Sequence, residues 1–463
     1  MAKVYREYQP DQPFLLPPSL TDWLPEGHLA YFISEVVDTM DLWEIIAHYE
    51  KEERGQPPYH PRMMVKVLLY GYCKGVRSSR KIAQRLEEDV AFKVLAANNC
   101  PDFRTISDFR KIHLERLKEL FVQVLRLCRE AGLVKLGYVA LDGTKVNANA
   151  SKHKAMSYGR MCEAEKELEE EVKKLLAEAE RIDQEEDELY GADHRGDELP
   201  EELARRETRL KKIKQAKAAL EEAARRKAEV SVAHGETRKE KVDEGEKRND
   251  AIGGRKISEE EKVVPEAKAQ YNFTDPESRI MKNSDKAYVQ AYNALAVVDG
   301  ANQVVVACDV SDNPADSVSM LGMVEQAERN CGKKPKRVLA DAGHFSEHNV
   351  VALEGKGIEV YIACDKQRHT EKSQGAPRGR IPLGLSVKER MRRKLKTKKG
   401  KETYAKRKWI VEPPFGQIKE ARGIRRFLLR GKRKVTGEWN LISTTHNLLK
   451  LYLRGGWQSA AAA

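Results

Sequence analysis

A chain of 463 residues with 34% charged side chains, a net charge of +12 and a pI near 9.1 has room for two or three domains and favours an acidic partner, nucleic acid first. Its seven cysteines lie far apart with no C-x-x-C pair, which argues against a zinc ribbon or a disulfide framework and fits a reducing cytoplasm. Apolar runs stay strand-sized, well short of the ~20 residues that span a bilayer, and the opening MAKVYREYQPDQPF has no signal-peptide core, so a soluble cytoplasmic protein without a membrane partner is expected.

Residues 1–60 carry prolines and short helical patches. From Pro61 the apolar spacing predicts three helices, over RMMVKVLLYGYCKG, SSRKIAQRLEEDVAFKVLA and TISDFRKIHLERLKELFVQVLRLCREAG. Ser78 and Ser79 can cap the second, and Ser107 can help to start the third. Residues 1–133 therefore read as a helical domain of a size that holds a helix-turn-helix. Arg77, Arg80, Lys81 and Arg85 suit a DNA-reading helix and an ordinary bundle surface equally.

At Leu136 the pattern switches to LGYVALDGTKVNANASK, an apolar strand expected to end in Asp142-Gly143-Thr144. A charged excursion follows. Leu168, Val172, Leu175, Ala179, Ile182 and Leu189 form a coiled-coil seam on an acidic arm; GADHRGDELP interrupts it. A basic arm over 201–230 repeats the spacing through Leu203, Leu210, Ile213 and Leu220. Residues 160–232 thus read as an inserted helical hairpin, and 233–270, without apolar periodicity, as a linker.

Strands return in AYVQAYNALAVVD and QVVVACDVSD, joined by the hairpin signal Gly300-Ala301-Asn302. DSVSMLGMVEQAERN reads as a helix, KRVLADAG as a strand, HNVVALEGKG as a short helix and EVYIACD as a strand, so the second half is a mixed sheet with helices on its faces. Residues 365–408 read as basic and irregular, TGEWNLISTTHNLLKLYLRG as a closing helix, and 456–463 as an unstructured tail. The fold class is α/β, with an N-terminal all-α domain at 1–133, a mixed-sheet domain at 134–455 and the inserted hairpin.

Asp142 and Asp341 both follow apolar strand residues and precede small ones, in the region outside strand carboxyl ends where ligands gather. A buried carboxylate must be paired, hydrogen-bonded or metal-bound. Either aspartate alone could be a turn residue. Together with Glu412 in KWIVEPPFGQIK and its basic flanks they suggest a site for a hard cation, Mg²⁺ or Mn²⁺ rather than Zn²⁺.

In this order LDGTKVNANASK, VLADAGHFSEHN and YAKRKWIVEPPFGQIK resemble the three acid motifs of the DDE transposases of bacterial insertion sequences. DPESRIMK with QAYNALAVVD resembles the segment before the second strand in one branch that also has a helical N-terminal domain. The resemblance implies a ribonuclease-H-like core in which Asp142, Asp341 and Glu412 hold two divalent ions, cutting DNA at the terminal inverted repeats and transferring the strand to target DNA. Tyr404, Glu412 and Lys419 match the third motif, whose basic residue is Arg407 or Lys408; His344 stands where tyrosine is usual and receives no role.

If VEPPFGQIKEA opens a helix, Pro413 and Pro414 occupy its first turn and Lys419 shares a face with Glu412 two turns on. Arg422, Arg425, Arg426, Arg430, Lys432 and Arg433 suit DNA-backbone contact or a plain basic surface. A homodimer or larger assembly at synapsis and a nucleoid location are also implied. The alternatives are a metal-dependent nuclease on the same scaffold that cuts without joining, and an inactive DNA-binding relative.

Overall fold

The computed structural model describes residues 19–50, 57–151, 154–190, 201–240, 264–283, 287–313, 316–365, 377, 379, 382 and 384–455. The chain divides into two compact units, one from 1–149 with 281–463 and one from 150–280. The expectations for the interrupting GADHRGDELP, for most of the linker and for the C-terminal tail lie outside the described residues.

The N-terminal part of the first unit is a helical layer of α1 (Leu29–Thr39), α2 (Trp43–Tyr49), α3 (Pro61–Cys73), α4 (Ser79–Glu88), α5 (Val90–Ala96), α6 (Phe103–Ile112) and α7 (Leu114–Glu130). Pro61 opens α3, where its missing N–H costs nothing. The expected second helix breaks at Asp89, whose carboxylate caps α5 at Ala91 N. The expected third breaks at the buried His113, which meets the Tyr49 hydroxyl at 3.0 Å. Asp102, not Ser107, caps α6 through Thr105 N, and Ser78 makes no capping bond, because in each case a nearer acid or the chain geometry supplies the start.

The chain then enters β1 (Val139–Asn147), which is longer than expected. β2 (Ala155–Ser157), α8 (Tyr158–Tyr190), α9 (Glu201–Glu240) and β3 (Gln270–Asn272) form the second unit. In it Leu168, Ile213, Met161 and Ala216 make a small core, and Glu165–Lys217, Glu169–Lys214 and Glu171–Arg206 lay the acidic arm on the basic one. The basic helix runs on to Glu240, inside the segment expected to be linker. The seam positions Ala179, Ile182, Leu189 and Leu203 lie outside the described side chains.

β4 (Arg279–Lys282) leads into β5 (Tyr288–Asp299), β6 (Val305–Ser311), α10 (Met320–Cys331), β7 (Arg337–Ala340), α11 (Glu347–Gly355), β8 (Glu359–Ile362), α12 (Val387–Lys396), α13 (Lys398–Gly416) and α14 (Lys432–Leu453). The six-stranded sheet runs β4-β5-β1-β7-β8, with β6 also pairing β5; β6, β5 and β1 are antiparallel and β1, β7 and β8 parallel. Most of the stretch expected to be irregular before Lys408 is helical where it is described, because Ser386 with Glu389 closes a capping box at α12 and Thr397 caps α13 at Gly400 N.

α14 is buried around nearly its whole circumference, and its polar side chains are used internally. Asn447 continues the edge of β6 by pairing with both Val305 N and Val305 O at 2.8 Å, and the Trp439 indole donates to Leu295 O. α3 and α7 pack on the same helix, so the N-terminal helices share a core with the C-terminal one. All seven cysteines are free thiols.

Candidate active site

β5 pairs with β1 along its whole length, whereas β7 pairs only with Val139, Ala140 and Leu141. The strand therefore does not end at Asp142; only its pairing with β7 does. The next residues on the two parallel strands are Asp142 and Asp341, which places the two carboxylates side by side.

Asp142 accepts from its neighbour Gly143 N at 2.8 Å and from the Arg407 guanidinium at 2.8 Å. Burial pushes its carboxyl up from the ordinary value, with Asp341 adding to the rise and Arg407 opposing it. At Asp341 burial also acts upward, but His344, Arg407 and Gly343 N–H outweigh it and hold the carboxyl below its ordinary range. The ring of the fully buried His344 donates from Nδ1 to Asp341 Oδ1 at 2.7 Å, and Gly343 N donates to the same oxygen at 3.0 Å. His344, given no role from the sequence, thus orients the second acid; a histidine three positions after the aspartate was the available signal.

The third motif lies on α13, which starts fourteen residues before Glu412, so Pro413 and Pro414 fall inside the helix rather than in its first turn. The ladder loses two donors there, and the carbonyl of Trp409, which Pro413 cannot serve, accepts from Gln303 Nε2 at 2.7 Å. Beyond Gly416 the chain makes a π turn over Gln417–Ala421, so the expected α-helical register between Glu412 and Lys419 is not kept. Lys419 instead reaches Lys145 O on β1 at 2.9 Å.

Arg407 occupies the acid pair while Lys408 is exposed, and Tyr404 lies half-buried beside Arg407. Glu412 is exposed, and among the described residues no hydrogen bond or ion pair joins it to the two aspartates.

The basic run separates into two groups. Arg422 is buried, bonded to Tyr72 O, Ile442 O and the Thr445 hydroxyl, and burial pushes its pKa down to about 10. In the structure it is a core residue, its guanidinium used by these internal partners, which differs from the exposed DNA-backbone contact expected of it. Arg425, Arg426 and Arg430 are exposed; Arg425 pairs with Glu420, and Arg430 donates to Asn149 O. Lys432 pairs with Asp312 and Arg433 with Glu115.

The structure also brings in a residue the sequence did not mark. Asp316, just before α10, lies beside Asp341 and His344, with one ligand-type atom of each within 4.8 Å of the others.

Residues 262–448 match the family described as Transposase DDE domain, and residues 18–112 match the Transposase domain (DUF772). The chain belongs to the DDE transposases. The protein is a transposase, its family implies a DNA substrate, and its acid and histidine cluster is one that could hold a metal ion. Asp341, Glu412 and Lys419 fall inside the DDE match and Asp142 before it, and the pairing of β1 with β7 is what brings Asp142 beside Asp341 in this transposase. No curated protein and no solved structure matches the chain. Among the described residues of the transposase no helix is long and apolar enough to cross a membrane.

Proposed function

We propose that this transposase cuts DNA at the ends of an insertion sequence and joins the freed 3′-hydroxyl to target DNA, using Asp142, Asp341 and Glu412 on a ribonuclease-H-like core. The observation that carries the reading is that Asp142 and Asp341 directly follow Leu141 and Ala340, the last paired residues of neighbouring parallel strands. The strand order, three antiparallel strands followed by two parallel ones, supports the core assignment.

The donor set fits Mg²⁺ or Mn²⁺: oxygen ligands dominate, and no cysteine joins them. Two such ions, when bound, would activate a water or hydroxyl and stabilise the leaving oxygen of the phosphodiester. The protein supplies the positions. Arg407 offsets the charge of two adjacent carboxylates, and His344 with Gly343 N–H fixes the Asp341 rotamer. Glu412 is assigned as the third acid from its place in the motif YAKRKWIVEPPFGQIK, which α13 carries together with Arg407. Lys419, held beside β1, and the exposed Arg425, Arg426 and Arg430 would line the DNA backbone and make binding sensitive to salt. Joining two element ends requires two DNA-bound subunits, so a homodimer or larger assembly forms at synapsis.

The test incubates the purified protein with Mg²⁺ or Mn²⁺ and labelled DNA carrying the element's own ends. Metal-dependent nicking followed by joined products is expected. Nicking without joining would leave the nuclease reading, and DNA binding with no nicking in either metal would leave the inactive DNA-binding protein.

Arg407 rather than Lys408 fills the basic position of the motif in this reading. Arg407→Ala is expected to slow nicking by about 10- to 100-fold, the worth of a charged hydrogen bond of about 1.5–3 kcal/mol. Lys408→Ala should stay close to wild type. Equal losses in the two variants, read in single-turnover assays, would reject the assignment.

A further inference from the structure

Each of the two aspartates is closely followed by a glycine, and the structure gives those glycines a common reason. A Cβ on Gly143 would lie 2.9 Å from Asp316 Oδ1 and 2.6 Å from Asn293 Oδ1; one on Gly343 would lie 3.0 Å from Asp316 Oδ2 and 3.2 Å from Asp341 Oδ1. Both glycines leave room for the same third carboxylate.

Asp316 is anchored there. Its Oδ1 accepts from Asn293 Nδ2 and from Lys145 Nζ, the latter at 3.5 Å. Because a carboxylate can only accept, the Asn293 amide turns its NH₂ to Asp316 Oδ1, and its oxygen faces Gly143, where a Cβ would meet both that oxygen and Asp316 Oδ1. Among the described residues that oxygen has no hydrogen-bond partner, although Asn293 on β5, paired with Lys145 of β1, is fully buried at 0% exposure. A buried acceptor without a donor is costly, and a cation or its bound water is the partner such a group takes.

We infer that Asp316 is a fourth carboxylate of the catalytic site, holding a divalent cation together with Asp341, with Asn293 Oδ1 turned toward the same space. This assignment rests on the metal-dependent reading of Asp142 and Asp341 given above and adds a residue to it. Asp316, between β6 and α10 in the chain, lies beside Gly143 in the middle of β1 and beside Gly343 just past the end of β7.

The experiment measures Mn²⁺ binding to the full chain without DNA, by loss of the free-ion electron paramagnetic resonance signal. It compares wild type with Asp316→Asn, Asp341→Asn, Asp142→Asn and the surface variant Asp365→Asn. Asparagine at 316 keeps an oxygen for Asn293 and Lys145 but removes the charge. Asp316→Asn is expected to weaken binding by at least about tenfold with an unchanged melting temperature in the absence of metal. Asp341→Asn should behave alike and Asp365→Asn should match wild type.

Wild-type affinity in Asp316→Asn beside a loss in Asp341→Asn would overturn the role of Asp316 and leave the two-aspartate reading standing. Wild-type affinity in Asp316→Asn, Asp341→Asn and Asp142→Asn would overturn both. If Asp316→Asn does not fold, Asp316→Glu keeps the charge and moves the carboxylate outward by one methylene. Weakened Mn²⁺ binding in that variant supports the assignment, and wild-type affinity overturns it.

Discussion

Asparagine in place of Asp341 or Asp142 is expected to reduce nicking at the element ends by about a thousandfold or more while DNA binding persists. The size follows from the chemistry: a metal-assisted phosphodiester cleavage relies on several kcal/mol of charge stabilisation, and about 4 kcal/mol corresponds to three decades in rate. Asparagine preserves shape and can still accept from Gly143 N or Gly343 N, so the local turns should survive. What it removes is the negative charge that Arg407 answers at Asp142 and His344 answers at Asp341. The loss should therefore appear in the single-turnover rate and not in the affinity for end DNA. Either variant nicking within about tenfold of wild type, with Mg²⁺ saturating, would mean that the wrong carboxylate carries the chemistry.

The largest loss of stability is expected from Glu438→Ala. Glu438 is completely buried on α14, and its carboxylate accepts from Arg77 at 2.7 Å, from Leu428 N at 2.9 Å and from Leu429 N at 2.9 Å. Burial pushes its carboxyl up, against the pull of Arg77 and the two amides. Truncation leaves a guanidinium only 9% exposed and two backbone donors without a partner, and removing one member of a buried pair costs about 3–5 kcal/mol.

Glu115→Ala, which breaks exposed pairs with Lys118 and Arg433, should cost no more than about 1 kcal/mol. Urea midpoints would separate the two variants, and a Glu438→Ala shift as small as that of Glu115→Ala would show that the pair contributes little. The position matters for function as well. Arg77 lies in the segment that matches the N-terminal transposase domain and Glu438 in the DDE segment, so this contact fastens the N-terminal helices to α14 and, through Leu428 and Leu429, to the middle of the basic run.

Much of the site was readable because its residues sit at the boundaries of local patterns. Asp341 follows three apolar strand residues, and the ordered motifs around Asp142, Asp341 and Glu412 carry the resemblance without any knowledge of packing. The helices of α13 were not readable in the same way. A run of lysines and arginines has little apolar periodicity, and two adjacent prolines argue for a helix start, yet Gln303 repairs one of the broken carbonyls from a distant hairpin. Arg422 looked like its exposed neighbours because sequence alone cannot show that Tyr72, Ile442 and Thr445 surround it.

The sequence by itself determined the alternation of helices and strands and the helical hairpin with one acidic and one basic arm, since these depend on residue spacing along one segment, and it marked Asp142 and Asp341 as candidates. Only the tertiary structure decided that Arg407 and not Lys408 faces Asp142, and that Asp316 and Asn293 lie beside the two aspartates. These are contacts between segments up to 265 residues apart. Such contacts are set by strand register and by burial, neither of which leaves a local mark in the order of the amino acids.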